Sequence, residues 1–152
     1  MMRKQFFLGL LLTAVAGTLG AADKPEAKPS APAVTASTAT NAEVVAYYFH
    51  GTMRCETCLK IERQAREAIE RRFAVEVAEE RLVFEPVNYD KPENAHYLKD
   101  YKLPCPSLVL VRQKDKQKWK LLGDTWKLIE NPFQFNEYVE GEVGKFVREQ
   151  KQ

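Results

Sequence analysis

Two cysteines three positions apart, Cys55 and Cys58, are the residues of this sequence best suited to chemistry. They lie where an apolar run ending at His50 gives way to a helical pattern. A C-x-x-C pair at such a junction is compatible with a redox-active dithiol, with half of a metal site, or with a structural disulfide. A disulfide across so short a loop adds little stability through chain entropy, which argues against the structural role without excluding it.

The residues after the pair predict an amphipathic helix that begins near Cys55. Its apolar positions recur at spacings of three and four, which is typical of one buried helix face. Unpaired N–H groups and the positive end of the dipole at a helix N-terminus stabilise a thiolate. Arg54 adds a positive charge beside Cys55, whereas Glu56 opposes it. We therefore expect Cys55 to be exposed and to attack, and Cys58, on the apolar face, to be buried and to resolve a mixed disulfide.

The main alternative to redox chemistry is a binding module that captures a metal or an arsenical through its thiols, without catalysis. Cys55, Cys58, Cys105 and His50 are suitable ligand types for zinc or another thiophilic ion. The sequence lacks the second C-x-x-C of many zinc sites, so the redox role is favoured. It needs no cofactor beyond the cysteines.

The N-terminal residues predict export. Residues 1–22 combine a basic start, a short apolar run and small residues before a cut after Ala22, as in a secretory signal peptide. Membrane contact is expected only if this segment is not cleaved. Residues 23–42 are rich in Pro, Ala, Ser and Thr and predict a disordered linker. Residues 43–152 then form one domain, periplasmic or secreted, in a compartment that permits disulfides.

The charge balance of the chain bears on its possible partners. The chain has 23 Lys and Arg against 21 Asp and Glu. Arg3 and Lys4 of the predicted signal peptide account for this excess, so the mature chain gives no electrostatic reason to expect nucleic acid as a partner.

The pattern of residues 43–152 predicts an α/β fold. Strands are expected at Val44–His50, Arg81–Asp90, Ser107–Gln113 and 118–123, and helices from Cys55, over Pro92–Tyr101 and over residues 131–150. Pro86 within the second strand indicates a bulge or an exposed edge. The order strand, helix, strand, helix, strand, strand, helix predicts a central mixed four-stranded sheet with helices on both faces.

Three stretches of residues 43–152 resemble the thioredoxin-like superfamily. They are "YYFHGTMRCETC", with the pair opening a helix, "FEPVNYDKPENAHYLKDYKLP", and "CPSLVLV", which is similar to the proline-led strand that faces the redox pair in that fold. More narrowly, "YYFHGTMRCETCLKIE" resembles a bacterial thioredoxin-like family labelled as a nitrophenyl-compound nitroreductase subunit and associated with arsenic-resistance operons. The resemblance implies a thiol–disulfide oxidoreductase acting on protein thiols, protein disulfides or a redox partner protein. A flavin or nicotinamide fingerprint does not occur, which argues against nitroreduction by this chain alone.

The sequence also departs from the thioredoxin pattern. Thioredoxins have a tryptophan before the first cysteine and Gly-Pro between the two, whereas here Arg54 precedes the pair and Glu56 and Thr57 separate it. The position of their buried acidic residue matches Tyr48, which cannot act as a base near neutral pH.

The segment "KLPCPSLVLV" carries a further expectation. By the resemblance, Pro106 corresponds to the cis-proline beside the redox pair, so we predict a cis Cys105–Pro106 bond and a Cys105 side chain close to the pair. A thiol there could compete for a mixed disulfide or complete a three-thiolate metal site. The alternative is a small buried cysteine that only packs.

Overall fold

The computed structural model describes residues 42–149 of the chain. The predicted signal peptide, residues 1–22, and nearly all of the predicted linker, residues 23–42, lie outside the described residues. Both of these assignments, and the boundaries of the domain, stay predictions. No helix in the described part of the chain is long and apolar enough to cross a membrane.

The described residues form an α/β fold built on one four-stranded sheet. Its strands are β1 (Val44–His50), β2 (Leu82–Asn88), β3 (Ser107–Arg112) and β4 (Trp119–Leu121). The helices are α1 (Glu56–Arg72), α2 (Ala74–Ala78), α3 (Tyr97–Asp100), α4 (Thr125–Leu128) and α5 (Pro132–Arg148), with a 3-10 turn at Pro92–Asn94.

The sheet is mixed, in the order β2-β1-β3-β4. Strand β1 runs parallel to β2 and antiparallel to β3, and β3 is antiparallel to β4. Because β1 is central, its residues are buried on both faces, which explains its continuous apolar sequence. Strand β2 lies at an edge, which is where a strand can accommodate Pro86.

Alternate residues of the sheet build two cores. On one face, Ala46, Tyr48 and Leu110 join the buried residues of α1 and α5. On the other, Phe49 and Val109 pack against Tyr97 and Tyr101 in and beside α3. The predicted fold class is confirmed: a mixed four-stranded sheet with helices on both faces, consistent with a thioredoxin-like fold.

The predicted helices agree with the structure except over Pro92–Tyr101. Helix α1 has the predicted apolar face, and the Asn131 side chain caps α5 by accepting a hydrogen bond from the Gln134 N–H at 3.2 Å. The single helix predicted over Pro92–Tyr101 is instead a 3-10 turn followed by the short α3. This stretch is mostly polar and exposed, so burial contributes little to holding a longer helix.

Candidate functional site

The cysteine pair lies at the junction of β1 and α1. Cys55 is the N-cap residue of α1, and Cys58 is in the first turn. The two residues form a disulfide with their Cα atoms 5.1 Å apart. Cys55 is exposed, whereas Cys58 is only 5% exposed. The predicted difference in burial between the two cysteines is confirmed.

The start of α1 gives Cys55 a local electrostatic advantage. The backbone N–H of Cys58 donates a hydrogen bond to Cys55 Sγ at 3.2 Å, so the sulfur occupies the position of a capping oxygen. In the reduced chain the same N–H and the helix dipole would stabilise a thiolate at Cys55. This geometry suits an attacking sulfur at Cys55 better than at the buried Cys58.

A polar network holds the loop that delivers the pair. The Thr52 N–H donates to Asp90 Oδ2 at 2.7 Å, and Asn88 Nδ2 donates to Thr52 Oγ1 at 3.1 Å. Gly51 permits this approach, because a Cβ there would lie 3.1 Å from Asp90 Oδ2. Sequence reasoning missed Asn88 and Asp90. The signal was a polar turn directly after β2, since the carboxyl ends of parallel strands lie at the same edge of a sheet.

Tyr48 lies beneath the pair on the buried face of β1. Its hydroxyl donates a hydrogen bond to the carbonyl oxygen of Cys58 at 2.8 Å, and its side chain is fully buried. Burial raises the pKa of Tyr48 to about 12, against the opposing effect of Arg54. The hydroxyl therefore keeps its proton near neutral pH and acts as a donor, not as a base.

The positive charge of Arg54 is partly neutralised by a neighbouring carboxylate. Its guanidinium forms an ion pair with Glu62, one turn beyond Cys58 on α1. Both side chains are partly buried, and Glu62 also lies within 3.8 Å of Arg66. Glu56, the first residue of α1, is exposed. Glu62 therefore offsets much of the positive charge that the sequence placed beside the pair.

Replacing Glu62 with glutamine is expected to make Cys55 more reactive. The change removes a negative charge near the helix start and frees Arg54 to stabilise the Cys55 thiolate. A charge effect of this kind, partly screened by solvent, corresponds to roughly a two- to fivefold increase in thiolate fraction. Alkylation rates of the reduced chain over a pH series, with the modified cysteine located by mass spectrometry, measure it.

Glu70→Gln is the matched control for this experiment. Glu70 lies on the same helix and pairs with Arg66 at 3.7 Å, two turns beyond Glu62. The Glu70→Gln substitution should leave the alkylation rate of Cys55 unchanged. Equal rates for the two variants, or slower alkylation after Glu62→Gln, would sink the electrostatic argument.

His50, at the end of β1, contacts the loop that follows it and the ring of Tyr48. Its Nδ1 lies 2.9 Å from the carbonyl oxygen of Gly51, and its ring stacks on Tyr48 with centroids 6.3 Å apart. Burial holds the pKa of His50 below its usual range, so the ring is neutral near neutral pH. Among the residues that the structure describes, no three His, Cys, Asp or Glu side chains are placed to hold a metal ion. The metal alternative with His50, Cys55, Cys58 and Cys105 gains no support.

The Cys105 segment lies at the same end of the strands as the cysteine pair. Phe49 pairs with Ser107 in the antiparallel ladder, so the residues before β3 continue past the end of β1. The Cys105 thiol also lies within electrostatic range of Tyr48, whose pKa it helps to raise after the larger effect of burial. Cys105 is a free, exposed cysteine, so the alternative of a buried packing residue is wrong.

The predicted cis bond between Cys105 and Pro106 is wrong. Between residues 42 and 149 no peptide bond is cis, so the Cys105–Pro106 bond is trans. The trans form is the commoner state of an X–Pro bond, by about 0.5–1 kcal/mol. Hydrogen bonds accompany it on both carbonyls: Ser107 Oγ donates to Cys105 O at 2.7 Å, and Trp126 Nε1 donates to Pro106 O at 2.7 Å. The second bond connects α4 to this segment, a contact that could not be predicted from the sequence.

Comparison with known proteins leaves this geometry as the main guide to function. No protein-family model matches the chain, and no curated protein matches it. A solved structure described as "Structure of a malarial protein" aligns with 57% of this chain and 93% of its own, at 20% identity and a TM-score of 0.36. A likeness of that size carries no argument about function.

Proposed function

We propose that this chain carries out thiol–disulfide exchange through Cys55 and Cys58, with protein thiols or disulfides as substrates. One observation carries the proposal: an exposed sulfur at a helix N-terminus is bonded to a buried sulfur one turn away. Such a pair can cycle between dithiol and disulfide without another cofactor. The resemblance of residues 43–152 to the thioredoxin-like superfamily supports this proposal.

The exchange proceeds in two displacement steps. In the reduced chain, the Cys55 thiolate attacks one sulfur of a substrate disulfide and expels the other sulfur as a thiolate. The Cys58 thiol then gives its proton to solvent and attacks Cys55 Sγ, which closes the Cys55–Cys58 disulfide and expels the second substrate thiolate. Two electrons pass to the substrate, and its two thiolates take up two protons from solvent. The reverse sequence oxidises a substrate dithiol.

The proposed place of action is outside the cytoplasm. The basic start, the apolar run and the small residues at Gly20 and Ala22 support export. An oxidising compartment would let the Cys55–Cys58 disulfide persist between substrates. Within this proposal, the narrower likeness to the nitroreductase-labelled family is taken to reflect the thiol chemistry and not nitroreduction by this chain.

An exchange assay tests the proposed function. The full chain, with dithiothreitol as electron donor, is expected to accelerate reduction of a peptide that contains one disulfide and a fluorescence reporter. Cys55→Ser should abolish the acceleration because it removes the attacking sulfur. Cys105→Ser should keep it and is the matched control. A wild-type rate no higher than that of Cys55→Ser would refute the proposal.

A further inference from the structure

The bond between Tyr48 and the carbonyl of Cys58 joins the redox pair to the centre of the sheet. Strand β1 is flanked by β2 and β3, so Tyr48 belongs to the best-anchored part of the fold. Cys58 is the third residue of α1, and its carbonyl is an ordinary acceptor of the i+4 helical bond. A carbonyl oxygen has two lone pairs, so it can accept the Tyr48 hydroxyl as well, here at 2.8 Å.

We propose that the Tyr48 hydroxyl is a positioning group that stabilises the closed disulfide relative to the open dithiol. This inference rests on the proposed exchange function. A disulfide forms only when two sulfurs meet within a narrow geometry. Fixing the first turn of α1 to β1 keeps Cys58 in place after reduction, which raises the effective concentration of its thiol at Cys55. The anchored pair is therefore harder to reduce than an unanchored one.

The role of Tyr48 is that of a donor over the whole neutral range. Its hydroxyl interacts electrostatically with Arg54, Cys105 and Tyr89, and its ring stacks on the ring of His50. Burial keeps the tyrosine protonated, with a pKa of about 12. His50 stays neutral above its lowered pKa. Cys105 is the neighbouring thiol, so the experiment uses a Cys105→Ser background, which also prevents stray disulfides.

Tyr47 is the matched control. It is the preceding residue of β1, and its side chain belongs to the core on the other face of the sheet. Its hydroxyl accepts a hydrogen bond from Gln113 Nε2 at 3.1 Å, and burial raises its pKa to about 12 as well. Tyr47→Phe therefore removes a comparable hydroxyl that has no bond to α1.

The test is a redox titration of full-length chains in glutathione buffers. Two glutathione thiols become glutathione disulfide as the Cys55–Cys58 bond opens to two thiols, and alkylation followed by mass spectrometry counts each form. Circular dichroism establishes that both variants are folded. We expect Tyr48→Phe to shift the equilibrium towards the dithiol by roughly two- to tenfold, the value of one hydrogen bond, with the same shift from mildly acidic to neutral pH.

The outcomes separate this inference from the function on which it rests. Tyr47→Phe should leave the equilibrium unchanged. A reversible titration of the Cys105→Ser parent in which Tyr48→Phe shifts the equilibrium no more than Tyr47→Phe does would overturn the positioning role and leave exchange intact. A shift towards the disulfide, or one that varies with pH, would also overturn it. A wild-type pair that never opens would overturn the exchange function itself, and this inference with it.

Discussion

Replacing Cys58 with serine is expected to leave a long-lived mixed disulfide on Cys55. The resolving thiol acts within the same chain, at an effective concentration of roughly millimolar. Without it, resolution depends on a second protein molecule at micromolar concentration, so the mixed disulfide should live on the order of 1000-fold longer. Non-reducing electrophoresis and intact mass after mixing with a disulfide-containing peptide measure the trapped species.

The same experiment distinguishes the roles of the three cysteines. Cys55→Ser should trap nothing, because the buried Cys58 is poorly accessible to a substrate. Cys105→Ser should resolve like the wild type. Trapping by Cys55→Ser but not by Cys58→Ser would reverse the assigned roles. If the mixed disulfide formed by Cys58→Ser were lost only when Cys105 is also replaced, the attacking thiol would be Cys105.

Replacing Phe135 with alanine is expected to lower the free energy of unfolding by about 3–5 kcal/mol. Phe135 is fully buried on α5, in the core that also holds Ile61 and Ile69 of α1. Truncating such a side chain loses its transfer free energy and leaves a cavity. Because α1 carries the redox pair, this core also positions the site. Urea unfolding of the oxidised chains, followed by circular dichroism, measures the change.

Phe133, two residues earlier on the same helix, provides the comparison. It is 77% exposed, and Phe133→Ala should change the free energy of unfolding by no more than about 0.5 kcal/mol. Equal losses for the two variants would mean that α5 does not bury the face described here.

The sequence predicted the elements with strong periodicity or continuous burial. Strand β1 was predicted over its observed bounds, Val44–His50, because a central strand is apolar on both faces. Helix α1 was predicted because its apolar face recurs every three or four residues. Helix α4, four residues long, was not predicted, since one turn has too few residues to establish a period.

The site was predictable only as far as local sequence reaches. The exposure of Cys55 and the burial of Cys58 follow from the helix start and the apolar face. The bond from Tyr48 to the Cys58 carbonyl depends on how α1 packs on the sheet, which no local pattern encodes. The pairing of Arg54 with Glu62 depends on the path of the loop before α1, and it changes the expected charge at the pair. The cis bond was inferred from resemblance alone, and it is wrong.

The most direct test of the account is the redox equilibrium of the wild-type chain. Full-length protein is equilibrated across a series of glutathione buffers, quenched with an alkylating agent, and weighed by mass spectrometry. We predict a reversible two-electron transition in which the folded chain gains two alkyl groups, on Cys55 and Cys58, at the same midpoint from either direction. A pair that stays oxidised across the series, or opens only when the chain unfolds, would contradict it and leave a structural disulfide.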